Sequence, residues 1–150
     1  MFDIRITNSK IVIVLGRLRV KLLTRETDYA VRALLLLAGE GERFVSSREI
    51  ASARDIPLSY LRSVLQRLRS EKMIECREGA RGGARLLSSP AAITLLQLIE
   101  IFQGGLVMTG CLFSKKLCKD REVCPLRKRL LRIEKKVAKE LEEITLADLM

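Results

Sequence analysis

A chain of 150 residues has room for one compact core, burying about 70% of its unfolded surface, plus an appended element. It carries 28 Lys and Arg against 18 Asp and Glu, no histidine and a formal net charge of +10, a balance that favours a polyanion, nucleic acid or an anionic surface, as partner. No run approaches the ~20 apolar residues that span a bilayer, and IVIVLG is too short for a signal-peptide core, so no membrane role and a cytoplasmic location are expected.

Residues 1–20, MFDIRITNSKIVIVLGRLRV, carry no capping signal before the first helix and read as an arm or a strand. Val20 is a candidate biological start, because a GTG codon reads as valine internally and can initiate translation in bacteria. From Thr24 to Gly39, Ala30, Val31, Leu34, Leu35 and Ala38 recur at helical spacing, with Gly39 and Gly41 as the stop. Ser46 and Glu49 have capping-box spacing at the start of SREIASARD, whose Ile50 and Ala53 form a short apolar face. Asp55-Ile56-Pro57 interrupts the pattern, and Ser59 is placed to cap the next helix. That helix, SYLRSVLQRLRSEKM, puts Leu61, Val64, Leu65 and Leu68 on one stripe.

Ile74-Glu75-Cys76-Arg77 alternates like a strand, with Cys76 as a packed strand residue; Glu78 to Gly83 is glycine-rich, and Arg85-Leu86-Leu87 returns. Helix, turn, helix and hairpin make residues 21–90 a winged helix-turn-helix. Thr94 with Gln97 caps a further helix through Leu98, Ile99 and Phe102, which Gly104-Gly105 ends. From Pro125, Leu126, Leu130, Ile133, Val137, Leu141 and Ile144 form a narrow apolar seam, expected to pair with a partner helix in a homodimer. The expected architecture is mainly α with a small β-hairpin wing: an extension over 1–20, the winged helix-turn-helix over 21–90, and a cysteine loop with a long C-terminal dimerisation helix over 91–150.

The major groove of double-stranded DNA admits an α-helix whose side chains reach base edges. Ser59, Tyr60, Arg62, Ser63, Gln66 and Arg67 have suitable chemistry: arginine bonds guanine and glutamine bonds adenine through paired hydrogen bonds. A solvated charged face is the alternative, and the helix-turn-helix before it and arginine-bearing hairpin after it favour DNA. GARGGAR looks like a phosphate-cradling loop, yet a Walker loop ends in Gly-Lys-Ser/Thr running into a helix, whereas Gly83 leads to Ala84-Arg85-Leu86-Leu87. As a wing tip, the glycines permit tight turning while Arg77, Arg81 and Arg85 reach phosphate or the minor groove.

Cys111, Cys118 and Cys124 crowd into GCLFSKKLCKDREVCPLRK. In a reducing cytosol such cysteines are metal ligands or reactive thiols rather than disulfides. Zinc knuckles use closer pairs, and no histidine is available, which favours an iron-sulfur cluster over zinc or a metal-free thiol sensor. A small iron-sulfur electron-transfer protein is the reading from another class, and it has no need of a basic helix-turn-helix.

From Lys21 onward the chain resembles the IscR/NsrR/RirA-type winged-helix transcription regulators, the Rrf-two family. The likeness is carried by LLTRETDYAVRALLLLA, EIASARDIPLSYLRSVLQRLRSEKMI, REGARGGARLL, SPAAITLLQLIEIFQGG, the three cysteines and ITLADL. It implies a homodimeric bacterial regulator in which the three cysteines hold a 2Fe-2S or 4Fe-4S cluster answering to iron, nitric oxide or redox state. It also implies a start just before KLLT, making residues 1–19 a translated leader. Some members use a histidine three residues after the last cysteine as fourth ligand, where this chain has Arg127. Others use an acidic residue from helix one of the partner subunit, a position matched here by Asp28. The aromatic usual after the wing glycines is replaced by Ala84.

Overall fold

Apolar residues at helical spacing build the central helix, around which the other elements assemble. The computed structural model describes residues 3–7, 10–15, 18–20, 22–79, 82–107 and 122–150. In chain order they form β1 (Asp3–Thr7), β2 (Lys10–Leu15), β3 (Leu18–Val20), α1 (Arg25–Gly39), α2 (Ser47–Arg54), α3 (Leu58–Ser70), β4 (Ile74–Arg77), β5 (Gly83–Leu86), α4 (Leu95–Gln103) and α5 (Pro125–Glu143). Short 3-10 turns lie at Pro90–Ala92 and Ala147–Leu149. Ala30, Ala33, Leu34 and Leu37 of α1 are fully buried, and the helix packs against α2, α3, α4 and β5. This is the expected mainly helical winged fold.

The N-terminal residues add an element that composition alone left open between an arm and a strand. β1, β2 and β3 form an antiparallel meander in that order. Its register pairs Ile4 with Ile13, Ile6 with Ile11, Val20 with Ile13 and Leu18 with Leu15.

α1 is capped by Thr24, whose hydroxyl accepts from the Thr27 amide at 3.4 Å. Several local expectations are corrected. Ser46 accepts from the Glu49 amide at 3.2 Å, but Glu49 does not reach back to close the box. Its carboxylate is taken by Arg43, whose Nη2 lies 2.7 Å from Glu49 Oε1 while Nε donates to Glu40 Oε2 at 2.7 Å. That bond holds the Glu40 carboxyl below the usual carboxylate range. Ser59 is not the cap of α3: the N-cap is Pro57, two residues earlier, with no side-chain cap bond. The helix also ends sooner, at Ser70, because Lys72 adopts a left-handed φ of 57° and turns Met73 into the core. The returning strand ends at Leu86 rather than Leu87, which is exposed.

α4 behaves as its sequence indicates. Thr94 and Gln97 form both halves of a capping box, and Gly104 closes the helix in the left-handed conformation. The chain end then docks on its start: the Leu95 amide donates to Ile144 O at 2.8 Å and the Leu146 amide to Ile93 O at 2.9 Å. Leu141 and Leu146 are thereby buried. Each side chain so removed from water stabilises the fold by about 1.5–3 kcal/mol. Asp148 Oδ2 accepts from the Thr145 amide and hydroxyl at 2.8 and 2.6 Å, which holds its carboxyl below the usual range.

One polar tie joins α4 to α1. Gln103 Oε1 accepts from the Thr24 amide at 2.8 Å and from the buried Thr27 hydroxyl at 2.7 Å, and Gln103 Nε2 donates to Leu22 O at 3.1 Å. Removing the amide leaves donors and an acceptor without these partners in a partly buried place. Gln103→Leu should therefore lower the free energy of unfolding by about 1–3 kcal/mol, read by chemical denaturation; an unchanged midpoint and slope would show the tie to be dispensable.

Candidate nucleic-acid interface

α3 divides its residues by face. Leu61, Val64, Leu65 and Leu68 are buried, while Ser59, Tyr60, Arg62, Ser63, Gln66 and Arg67 are all exposed. The exposed group is the set with base-reading chemistry. α2 presents this helix across a tight turn in which Asp55 takes a left-handed φ of 51°, the Ile56 amide donates to Ala51 O at 3.0 Å and Ile56 is buried. Arg67 Nε is 3.4 Å from Glu71 Oε1, a long exposed pair one turn on. The Tyr60 ring leans on Tyr29 of α1, with centroids 6.4 Å apart.

The wing is anchored on both edges. β4 and β5 pair antiparallel with Cys76 opposite Ala84 and Arg77 opposite Gly83. On the other edge of β5, Val45 and Ala84 exchange backbone hydrogen bonds, each 2.9 Å. Alternation then places Ile74, Cys76, Ala84, Leu86 and Val45 inward and Phe44, Glu75, Arg77 and Arg85 outward. Gly83 is required by the close approach: a Cβ there would lie 2.4 Å from Val45 O. Ala84 is 2% exposed, so a small residue at this position fits the contact with Val45.

The outward row holds an arrangement that the sequence did not disclose. Arg85 donates from Nε to Glu75 Oε2 at 2.8 Å, Arg85 Nη2 is also 2.8 Å from that oxygen, and Nη1 bonds Glu42. Its guanidinium lies 5.1 Å from the centre of the Phe44 ring, and that of Arg77 lies 4.2 Å from the same centre. Arg77 keeps 61% of its side chain exposed, against 27% for Arg85. Arg77 is thus the more available wing cation of the two, whereas Arg81 lies outside the described residues. A cleft of about 360 Å³ opens between Ser46, Ser47 and Arg48 at the start of α2, Leu65 of α3 and the wing residues Cys76, Arg77, Gly79, Gly82, Gly83 and Ala84.

Of the proposed metal ligands, Cys111 and Cys118 lie outside the described residues. Cys124 is a half-buried free thiol at the N-cap of α5. Asp28 sits in the first turn of α1 with its carboxylate 2.7 Å from Arg32 Nη2. Among the described residues no three Cys, Asp or Glu side chains converge on a metal-sized point.

The family follows from comparison with known proteins. The Rrf2 family model, described as an iron-dependent transcriptional regulator, matches residues 23–150. The chain belongs to the Rrf2 family. Among Rrf2 relatives, the HTH-type transcriptional repressor NsrR of Streptomyces coelicolor is 27% identical over 130 residues, 85% of this chain and 87% of its own. CymR, the global cysteine regulator of B. subtilis, has a TM-score of 0.68 at 25% identity, covering 85% of this chain and 94% of its own. T. potens IscR has a TM-score of 0.65 at 26% identity, covering 85% and 84%. This Rrf2 protein is accordingly a DNA-binding transcriptional regulator and not an enzyme. No helix among the described residues is long and apolar enough to cross a membrane.

Cys76 lines the cleft, and burial pushes its thiol above the ordinary range, opposed only in part by Arg69. Its thiolate fraction at neutral pH is therefore lower in the folded chain than in the unfolded one. At pH 7.5, iodoacetamide should label Cys76 more slowly in the native protein than in urea, as followed by peptide mass spectrometry; equal rates would contradict the burial argument.

Proposed function

We propose that this Rrf2 regulator acts in the cytoplasm as a homodimer on an imperfect inverted repeat, with α3 reading bases and the wing holding phosphate. The observation that carries the reading is the clean division of α3: a buried leucine-valine stripe and, opposite, Arg62, Ser63, Gln66 and Arg67 in the open beside the wing. α5 supports the dimer. Leu126 is 67% and Ile133 43% exposed on a seam whose far end, Leu141, is buried, and such a stripe on a long helix is suited to a second copy.

Cys111, Cys118 and Cys124 hold an iron-sulfur cluster, 2Fe-2S or 4Fe-4S, in this reading, with Asp28 of the opposite subunit as fourth ligand. The support is the family's iron dependence, the soft donor set and the free Cys124 thiol. When bound, the cluster supplies a centre sensitive to iron supply, oxidation and nitric oxide. Asp28 Oδ2 is paired with Arg32, and because carboxylate is a harder ligand than thiolate its iron bond is expected to be the most readily exchanged. A link from α1 of one subunit to the start of α5 of the other would set the spacing of the two recognition helices and so the affinity for the repeat. The repressor name of the Streptomyces relative favours repression. Likeness to the cysteine regulator CymR favours a second reading, in which the same cysteines respond as thiols without iron.

Arg62→Ala and Gln66→Ala should each cost about 1–3 kcal/mol of base discrimination, while Arg77→Ala should weaken all sequences alike and reduce the salt slope by about one. Unchanged base preference in the first two would refute the recognition assignment. Anaerobic protein with bound iron and sulfide, apo-protein and a Cys111/Cys118/Cys124→Ser variant should differ about 5- to 150-fold in affinity for a selected duplex. A switch without iron favours the thiol reading, and equal affinities exclude sensing through these cysteines.

A further inference from the structure

The wing's outer face contains an aromatic residue that backbone pairing places there and that does not pack on the hydrophobic core. Phe44 stands next to Val45, which pairs with Ala84, and is therefore opposite Arg85 on the edge of β5; Arg85 is in turn opposite Glu75. One step along, the row runs through Gly83 to Arg77. Gly83 has no side chain to fill the space between them, so the half-buried Phe44 ring reaches diagonally to the Arg77 guanidinium at 4.2 Å. Among the described residues the anion paired with Arg77 is Glu75, whose Oε1 lies at a long 3.6 Å from Arg77 Nη2, while its Oε2 accepts from Arg85 at 2.8 Å. Glu42 bonds Arg85 from the other side. Both carboxylates thus make their short bonds to Arg85, and Arg77, with only the long contact to Glu75 Oε1, is held by the aromatic face with its negative quadrupole.

We propose that Phe44 is a positioning residue for DNA binding, keeping the Arg77 guanidinium on the outer face of the wing, where it meets a phosphate, instead of letting its long contact with Glu75 Oε1 close into a short ion pair. The inference rests on the phosphate-binding reading of the wing. An exposed cation–π contact is equivalent to about a 2- to 5-fold change in affinity. A side chain held in its bound conformation also loses less entropy on binding.

The test uses the full chain and a duplex selected by it from a random-sequence pool, with affinity read by fluorescence anisotropy across a salt series. The variants are Phe44→Tyr, Phe44→Leu, Arg77→Ala and the Phe44→Leu/Arg77→Ala double, each checked for its thermal transition. If the leucine variant loses that transition, Phe44→Met takes its place. Phe44→Leu and Arg77→Ala should each weaken binding about 2- to 5-fold and flatten the salt slope. Phe44→Tyr, which retains the ring, should match the parent, and the double should be no weaker than Arg77→Ala alone. Parent-like binding by Phe44→Leu beside a weakened Arg77→Ala would overturn the positioning role alone, as would losses that multiply in the double. An Arg77→Ala variant with parent affinity and slope would remove the phosphate-binding wing itself.

Discussion

Two backbone hydrogen bonds, exchanged between Val45 and Ala84 at 2.9 Å each, set most of the geometry that relates the wing to the helix-turn-helix. Val45 immediately precedes Ser46, the N-cap of α2, so this contact that seats the wing also fixes where the helix-turn-helix begins. Val45 and Ile50 occupy the two positions of a hydrophobic staple, and both are fully buried. The strand pairing leaves no room for a side chain at Gly83 and brings Phe44 beside Arg85 and Arg77. The wing is therefore part of the same packed body as α2.

The segment with the cysteines is bracketed by docked ends. On its N-terminal side, Gln103 ties the end of α4 to the start of α1. On its C-terminal side, α5 leads to Leu141, Ile144 and Leu146, which return to the base of α4. α1, α4 and the C-terminal turn share one core with α3. The described elements on either side of the cysteine segment thus belong to the body that carries α3, which is a physical basis for the coupling proposed above.

The sequence disclosed what depends on local spacing. The buried stripe of α3, the Thr94–Gln97 capping box, the Gly104 stop and the Pro125 start are repeats or motifs within one or two turns, and all four appear in the structure. Features set by distant partners were not legible. Gln103 bonds residues 76 to 81 positions away, and nothing in IEIFQGG distinguishes that amide from a solvated one. Glu49 had capping-box spacing, but Arg43 offered its carboxylate a charged partner. Phe44 carried a faint signal as an aromatic just before a staple position, yet its role depends on the register of a hairpin thirty residues on. The exposed set on α3, proposed above to read DNA, was legible as a group because it is the complement of the buried stripe, whereas the engagement of Arg85 by Glu75 and Glu42 required three-dimensional pairing.

Amide hydrogen exchange of the full chain, with and without a selected duplex at low and high salt, is the most direct test that the exposed face of α3 and the wing form the DNA interface. Bound duplex should slow exchange in peptides covering residues 58–67 and 74–86, with the protection lost at high salt as released counterions compete. Protection confined to α5, or absent from both segments while the duplex remains bound, would contradict the account.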